Sequence, residues 1–206
     1  LKGVHQSPDH HPEGDVFVHT LGLLERLERP TETLALAALL HDVAKPATAA
    51  ERNGRITFYG HCERGAEMAL EICRRLRRSR ATGEHVAWLV RHHLRHRDAP
   101  HMRRSTLKRF LREDGIDELL ELARLDALAS SGDLSSWDFC RAQLAAIGDE
   151  ALHPEPLLTG RDLLALGLAP GPRIGRLLGA LADAQLEGEL TTRDEALAWV
   201  RAQPRD

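Results

Sequence analysis

Hydrophobic residues recur along this chain with the spacing of α-helices. They stand three or four positions apart, which places them on one face of a helix with polar residues on the other. Residues 51–59 differ, since an Asn-Gly turn and a short β-like run indicate a connecting loop or a minor hairpin. We predict helices over residues 16–28, 33–45, 61–79, 83–95, 105–114, 116–131, 136–147, 160–166, 172–187 and 193–202.

The fold class that follows is all-α, because no series of strand patterns and no internal repeat interrupts the helices. We expect a helical bundle over residues 1–152. A segment with two prolines and a glycine, residues 153–160, then leads into a short helical tail that makes up the rest of 153–206.

The second predicted helix, TLALAALLHDVAK, is apolar on nearly every side until it reaches His41 and Asp42. A helix of this kind is usually buried at the centre of a bundle. Burying polar groups without partners costs several kcal/mol. We therefore expect that something binds His41 and Asp42 at the end of this helix.

Composition narrows the class of protein. With 206 residues and 42% hydrophobic content, the chain can bury one substantial core. Its 29% of charged residues and its lack of low-complexity tracts argue against disorder. The three cysteines are widely spaced, which fits a reduced cytoplasmic protein and argues against a disulfide framework or a thiolate zinc site. Neither a membrane span nor a secretory leader is expected. Only 4% of residues are aromatic, which disfavours a stacking platform for single-stranded nucleic acid.

Charge is distributed unevenly. Residues 74–112 carry thirteen lysines and arginines against two acidic residues, a local charge of +11 in a chain whose net charge is −3. Such a basic band either forms ordinary exposed helix faces or indicates a partner that bears phosphate.

Histidines and aspartates recur on successive predicted helices. Imidazoles and carboxylates that converge from several helices are the usual way in which a bundle builds a metal site. Taken singly, each residue is more often an ordinary helix residue than a metal ligand, so the prediction depends on their order and spacing. The residues in question are His19, His41, Asp42, His61, His92, His93 and Asp126.

The order H…HD…H…H…D resembles that of the HD phosphohydrolase superfamily. More narrowly, most of the chain resembles the HD region and tail of bacterial CCA-adding tRNA nucleotidyltransferases and poly(A) polymerases. The segments that carry this resemblance are HHPEGDVFVHT, LALAALLHDVAKP, FYGHCERGAEMA, LVRHHLR, STLKRFL, LARLDALAS and LLTGRDLLALGLAPGPRIGRLL, with QLEGEL to follow.

The nucleotidyltransferase head of that family, with its Gly-Ser and Asp-x-Asp motifs, is not found in these 206 residues. We therefore do not expect this polypeptide to add nucleotides by itself. It is either a piece of a longer enzyme, as a first residue other than methionine suggests, or a free-standing HD protein.

The resemblance implies two neighbouring metal sites. His19, His41, Asp42 and Asp126 would bind a first divalent ion, and His61 and His93 a second, with Asp42 bridging the two. His93 is preferred to His92 because the family's histidine usually precedes a hydrophobic residue, here Leu94, although both alternatives remain open. The expected ions are manganese, nickel, cobalt or magnesium, and imidazole-rich ligation favours the first three.

Basic side chains near these histidines are candidate phosphate contacts. Lys45 follows Asp42 by three residues and His41 by four, so it shares their helix face and could stabilise charge that develops on a phosphoryl group. We expect Asp42 and Lys45 to be catalytic. The candidate substrate-binding residues are His11, Arg64, Arg97 and Lys108, with Arg109 as a weaker one.

The predicted function is metal-dependent hydrolysis of phosphate esters of nucleotides or RNA ends, such as 2′,3′-cyclic phosphates and 2′-phosphomonoesters. A metal ion lowers the pKa of a bound water, and the resulting hydroxide attacks phosphorus. The main alternative is a tRNA-binding module without catalysis, which would act with a partner nucleotidyltransferase or as a homodimer. Triphosphohydrolase and di-iron oxygenase chemistry are minor alternatives.

Overall fold

The computed structural model describes residues 1–7, 12–52, 54–148 and 152–203. The chain divides into two compact units. The first comprises residues 1–100 and 114–142, and the second comprises residues 101–113 and 143–206. Within the described ranges the regular structure is helical apart from a single two-stranded hairpin and one isolated β-bridge, so the predicted all-α class is confirmed.

Helices in the first half of the chain follow the predicted order. Between them, the hairpin lies where residues 51–59 suggested it, with strand β1 (Ala50–Arg52) antiparallel to β2 (Arg55–Thr57). The helices are α1 (Val16–Leu24), α2 (Glu32–Leu40), α3 (Lys45–Thr48), α4 (His61–Arg75), α5 (Arg80–His92) and a 3₁₀ helix (Arg95–His101).

The remaining helices carry the chain to its C-terminal region. None of the described helices has both the length and the apolar character that crossing a bilayer requires. The bounds are α6 (Arg104–Leu111), α7 (Ile116–Ala129), α8 (Ser135–Ile147), α9 (Gly160–Ala165), α10 (Pro172–Glu187) and α11 (Arg193–Arg201).

Helix α2 is central to the first unit, as its apolar sequence predicted. It contacts α1, α4, α5 and α7 and buries Ala37 and Ala38 completely. It ends at Leu40 rather than at Lys45, and the residues from His41 to Ala44 form a turn. Pro46 lies in the first turn of α3, where its missing N–H leaves no hydrogen bond unmade.

Helix α1 begins where Asp15 caps it. The Asp15 carboxylate accepts hydrogen bonds from the N–H groups of Phe17 and Val18, at 2.9 and 3.2 Å. Its second oxygen accepts from the N–H of Gly3 at 2.7 Å, which fixes the N-terminal segment beside the start of the helix. This cap matters for the site because it sets the position of His19, one turn into α1.

The second unit takes in more of the chain than the predicted tail. Residues 101–113, which the sequence placed in the bundle, group with the C-terminal helices. The reason lies in α6, which packs on α10, where Glu187 accepts a hydrogen bond from the N–H of Ser105 at 2.8 Å. Arg109 pairs with Asp183 at 2.7 Å on the same helix pair. The core of the unit is formed by Leu158, Leu163, Leu177, Leu181, Ala184, Leu190, Ala196 and Val200.

Candidate metal centre

Side chains from five parts of the first unit meet at one buried point. Two of them lie in the turn after α2, one opens α4, one follows α5, and two lie inside α1 and α7. All have nearly inaccessible side chains except His61, which is partly buried. These residues are His19, His41, Asp42, His61, His93 and Asp126.

Two histidines and two aspartates form the first part of the centre. Nε2 of His19 lies 3.2 Å from Nε2 of His41 and 3.0 Å from Oδ1 of Asp126. Nε2 of His41 lies 3.2 Å from Oδ2 of Asp42. Neighbouring ligands held at about 2.1 Å from an octahedral ion are about 3.0 Å apart, so these side chains fit a shared divalent ion.

His61 and His93 form the second part, on the other side of Asp42. Their Nε2 atoms lie 3.6 and 4.0 Å from Oδ1 of Asp42. The two oxygens of Asp42 therefore face different sets of imidazoles, His61 and His93 on one side and His41 on the other. This is the arrangement that a carboxylate bridging two ions requires.

Backbone carbonyl groups fix the orientation of three of these imidazoles. A carbonyl oxygen can only accept a hydrogen bond, so the Nδ1 atom that faces it must carry the proton. In its neutral form such a ring directs the lone pair of Nε2 toward the centre, which is how proteins prepare histidine for a metal. The Nδ1 donors and their acceptors are His41 to Ala38 at 2.9 Å, His61 to Phe58 at 2.8 Å and His93 to Val90 at 2.7 Å.

His19 is oriented by a carboxylate instead. Its Nδ1 lies 2.9 Å from Oε1 of Glu13, which precedes the cap of α1. Glu13 was not predicted from the sequence, because it shares no helix with His19 and no regular spacing connects a turn residue to a helical one. A carboxylate behind a ligating histidine makes the imidazole a stronger donor.

The electrostatics of the centre favour ionised carboxylates and, at His61 and His93, neutral imidazoles. His41 differs, because burial opposes its charge but the neighbouring Asp42 raises its pKa. Burial opposes the charge on Asp42 and Asp126, but His41 lowers the pKa of Asp42 and a hydrogen bond from His19 lowers that of Asp126. Burial, reinforced by the charge of His41, lowers the pKa of His93 to about 3. Burial likewise lowers the pKa of His61. Near neutral pH both carboxylates are ionised, and His61 and His93 are uncharged.

Lys45 supplies a buried positive charge beside Asp42. Its Nζ lies 2.7 Å from Oδ2 of Asp42 and donates to the side-chain oxygen of Gln6. It also stands over the ring of Phe58, 5.4 Å from the centroid. The predicted proximity of Lys45 to Asp42 is thus present, whereas no sequence pattern indicated Gln6 or Phe58 as its neighbours.

The centre opens into a cavity of about 590 Å³. The hairpin and the residues that follow it form one wall, and Lys45 and Arg97 bring positive charge to it. Arg97 also lines an adjoining cavity of about 280 Å³, and its guanidinium is 3.7 Å from Oδ2 of Asp126. The space therefore suits an anionic substrate next to the cluster of imidazoles and carboxylates.

The other predicted substrate contacts differ from Arg97. Arg64 extends into solvent and pairs with Glu67 at 2.7 Å, and it is not among the residues that line the cavity. Helical spacing from His61 predicted that it would face the site, but its exposed carboxylate partner on α4 holds it elsewhere. Lys108 lies in the second unit, where burial lowers its pKa. His11 lies outside the described residues.

The two adjacent histidines after α5 have different surroundings. His93 is buried, and its ring lies 5.4 Å, centroid to centroid, from each of the rings of His41 and His61. His92 packs against Trp88, with ring centroids 5.3 Å apart. The geometry therefore favours His93 as the member of the cluster.

One cysteine also reaches the centre, which its isolated position in the sequence did not predict. Sγ of Cys62 lies 3.5 Å from Nε2 of His61. One ligand atom from each of Cys62, His61 and His93 lies within 4.8 Å of the other two. Burial raises the pKa of the Cys62 thiol to about 11.

Comparison with known proteins places this geometry in a family. Residues 15–130 match the HD domain, a range that includes all six side chains of the centre. The chain belongs to the HD domain family. The resemblance inferred from the order of histidines and aspartates is therefore confirmed.

Similarity to proteins of known function covers more than the HD domain itself. The chain is 39% identical over 211 residues to a CC-adding tRNA nucleotidyltransferase of Thermus thermophilus, and 38% identical over 216 residues to an A-adding tRNA nucleotidyltransferase of Deinococcus radiodurans. Each match covers 97% of this chain, but only 47% and 49% of the relatives. A multifunctional CCA protein of Halorhodospira halophila is 32% identical over 85% of the chain. The chain thus spans about half the length of the curated relatives it matches.

Proposed function

We propose that this HD domain is a divalent-metal-dependent phosphohydrolase that acts on phosphate esters of nucleotides or RNA ends. The observation that carries the proposal is the position of Asp42, whose two oxygens face separate sets of imidazoles at the base of a cavity lined by Lys45 and Arg97. 2′,3′-Cyclic phosphates and 2′-phosphomonoesters are the substrates we propose first.

In this proposal the ligands divide between two ions. His19, His41 and Asp126 hold one ion, His61 and His93 hold the other, and Asp42 binds both. When bound, the ions supply Lewis acidity toward the phosphoryl oxygens and lower the pKa of water to near neutrality. A donor set with four imidazoles favours manganese, cobalt or nickel over magnesium.

Lys45 and Arg97 act on the substrate. The ammonium group of Lys45 is buried and directed at the floor of the cavity, so it stabilises negative charge that develops on the phosphoryl group. The guanidinium of Arg97 can donate two parallel hydrogen bonds to a phosphate, which orients the substrate for attack. Neither role needs a serine or cysteine nucleophile.

Hydrolysis of 2′,3′-cyclic AMP with added manganese or nickel tests the proposal. We expect turnover that a chelator abolishes and that Asp42→Asn reduces by at least about a hundredfold, whereas Arg97→Ala mainly raises KM. Arg74→Ala is the matched control, because Arg74 lies on the exposed face of α4 and pairs with Glu71. Turnover that survives in folded Asp42→Asn protein, or that depends on Arg74, would contradict the assignment.

A second candidate function is the binding of tRNA without catalysis. It is supported by the similarity of 97% of the chain to tRNA nucleotidyltransferases and by the excess of arginine and lysine over residues 74–112. Reversing the charges of Arg103 and Arg104 should then weaken tRNA binding and reduce its dependence on salt, while Asp42→Asn leaves it unchanged. RNA affinity against salt concentration, measured for both variants, distinguishes this function from hydrolysis.

A further inference from the structure

We propose that Cys62 is a ligand of the second ion, so that this half of the centre is a site of two histidines, one cysteine and one aspartate. The inference rests on the proposed metal centre but goes beyond it, since the proposed ligands of the two ions are imidazoles and carboxylates alone. Cys62 is the second residue of α4 and follows His61 directly, so the start of one helix delivers two donors.

The distance between these two donors carries the first part of the argument. For a tetrahedral ion with metal–sulfur and metal–nitrogen bonds of about 2.3 and 2.05 Å, the two atoms must stand about 3.6 Å apart. Sγ of Cys62 and Nε2 of His61 are 3.5 Å apart. The pair thus has the separation that a shared tetrahedral ion would impose.

His93 is the second and independent observation. One ligand atom from each of His61, Cys62 and His93 lies within 4.8 Å of the other two. His93 is 1% exposed, and its Nδ1 donates to the carbonyl of Val90, which leaves Nε2 as its available ligand atom. That Nε2 lies 4.0 Å from Oδ1 of Asp42, which is beyond hydrogen-bond distance. A buried imidazole nitrogen aimed in this way at a thiol and a carboxylate has an ion as its natural partner.

A thiolate changes which metals the site prefers. On binding, the S–H bond of Cys62 breaks, a sulfur–metal bond forms, and the proton is released to solvent. Two imidazoles, one thiolate and one carboxylate oxygen make a four-ligand set suited to zinc, cobalt or iron(II). The first part of the centre, built from His19, His41 and two carboxylates, has no thiolate and suits manganese. The two halves should therefore bind different metals most tightly.

Titration of the metal-free protein with cobalt(II) tests the inference, because cobalt reports thiolate ligation directly. We expect a near-ultraviolet thiolate-to-cobalt charge-transfer band in the wild-type protein that Cys62→Ser abolishes, while the visible cobalt bands persist. Cobalt affinity at the second site should fall about tenfold or more in this variant. Cys73→Ala is the matched control, since Cys73 is buried on the same helix but is not part of the cluster.

Two outcomes would overturn the inference: a charge-transfer band that survives in Cys62→Ser, or wild-type protein that shows no such band with cobalt added in excess. Alkylation supplies a second readout, since saturating zinc should slow the reaction of iodoacetamide with Cys62 and leave that of Cys73 unchanged. The failure of the hydrolase proposal would be distinguishable from the failure of this inference. A charge-transfer band without phosphoesterase activity supports the cysteine ligand, and activity without the band refutes it.

Discussion

The buried pair formed by Lys45 and Asp42 gives a prediction that separates a metal centre from an ordinary core network. The side chains are 7% and 2% exposed, and Nζ lies 2.7 Å from Oδ2. In metal-free protein, Lys45→Met leaves the Asp42 carboxylate without its nearest cation. Breaking a buried pair in this way costs about 3–5 kcal/mol. His41 still faces the same oxygen at 3.2 Å, so we expect the lower end, about 3 kcal/mol.

A bound cation would compensate for the lost ammonium group. With saturating manganese, the stability difference between wild type and Lys45→Met should therefore shrink well below its value in chelator. Urea unfolding followed by circular dichroism, with and without metal, measures both differences. Asp42→Asn combined with Lys45→Met should be less destabilised than the sum of the single variants, because neither partner is then left as an unpaired charge.

The control is an ion pair of the same spacing at the surface. Arg74 and Glu71 are also three residues apart and 2.8 Å from each other, but their side chains are 79% and 53% exposed. Arg74→Met should cost less than about 1 kcal/mol, with or without metal. If Lys45→Met costs no more than this control, or if metal leaves its cost unchanged, the reasoning about the buried charge is refuted.

Three further predictions concern the centre and the helices that hold it. His93→Gln should weaken metal binding, measured by calorimetry, about tenfold or more. An equal loss in His92→Gln would contradict the assignment of His93, rather than His92, to the centre. Hydrogen bonds hold the pKa of Glu118 below its ordinary value against the effect of burial, so its contribution to stability is present above about pH 4.3 and is lost as pH falls. The stability gap between wild type and Glu118→Gln should close in acid, and a gap independent of pH would refute this. Gly115 has φ +87°, and a Cβ there would lie 2.3 Å from an imidazole carbon of α5. Gly115→Ala should lower the thermal midpoint more than Gly132→Ala, where φ is +76° and nothing lies within 4 Å, and equal shifts would contradict the clash.

Much of this fold is predictable because hydrophobic spacing is a local property of the chain. The central position of α2 follows from its continuous apolar sequence, and the start of α11 follows from the capping box of Thr192 and Glu195, which the structure contains. The end of α2 was misplaced because His41 and Asp42 are turned inward to the cluster, a tertiary effect that overrides helical propensity. The grouping of residues 101–113 with the second unit also depends on packing partners far away in the sequence.

The candidate site was predictable where the order of the residues along the chain, shared with the family, agreed with their chemistry. It was not predictable for residues that reach the centre only through tertiary contacts. Glu13, Gln6 and Cys62 reach the centre from a turn, an irregular segment and a helix start, so no periodic signal marks them. Helical spacing failed for Arg64, because spacing from a site residue does not determine whether a long side chain pairs with an exposed carboxylate instead. Arg97 has a comparable spacing from His93, and it does line the cavity.

The central claim is that Asp42 lies between two cation sites. Its most direct test is anomalous diffraction from crystals equilibrated with manganese and, separately, with cobalt. The account predicts two peaks, one within bonding distance of Nε2 of His41 and Oδ2 of Asp42, and the other beside Oδ1 of Asp42 and Nε2 of His61. No peak at this centre in either metal, or peaks only elsewhere on the protein, would contradict it.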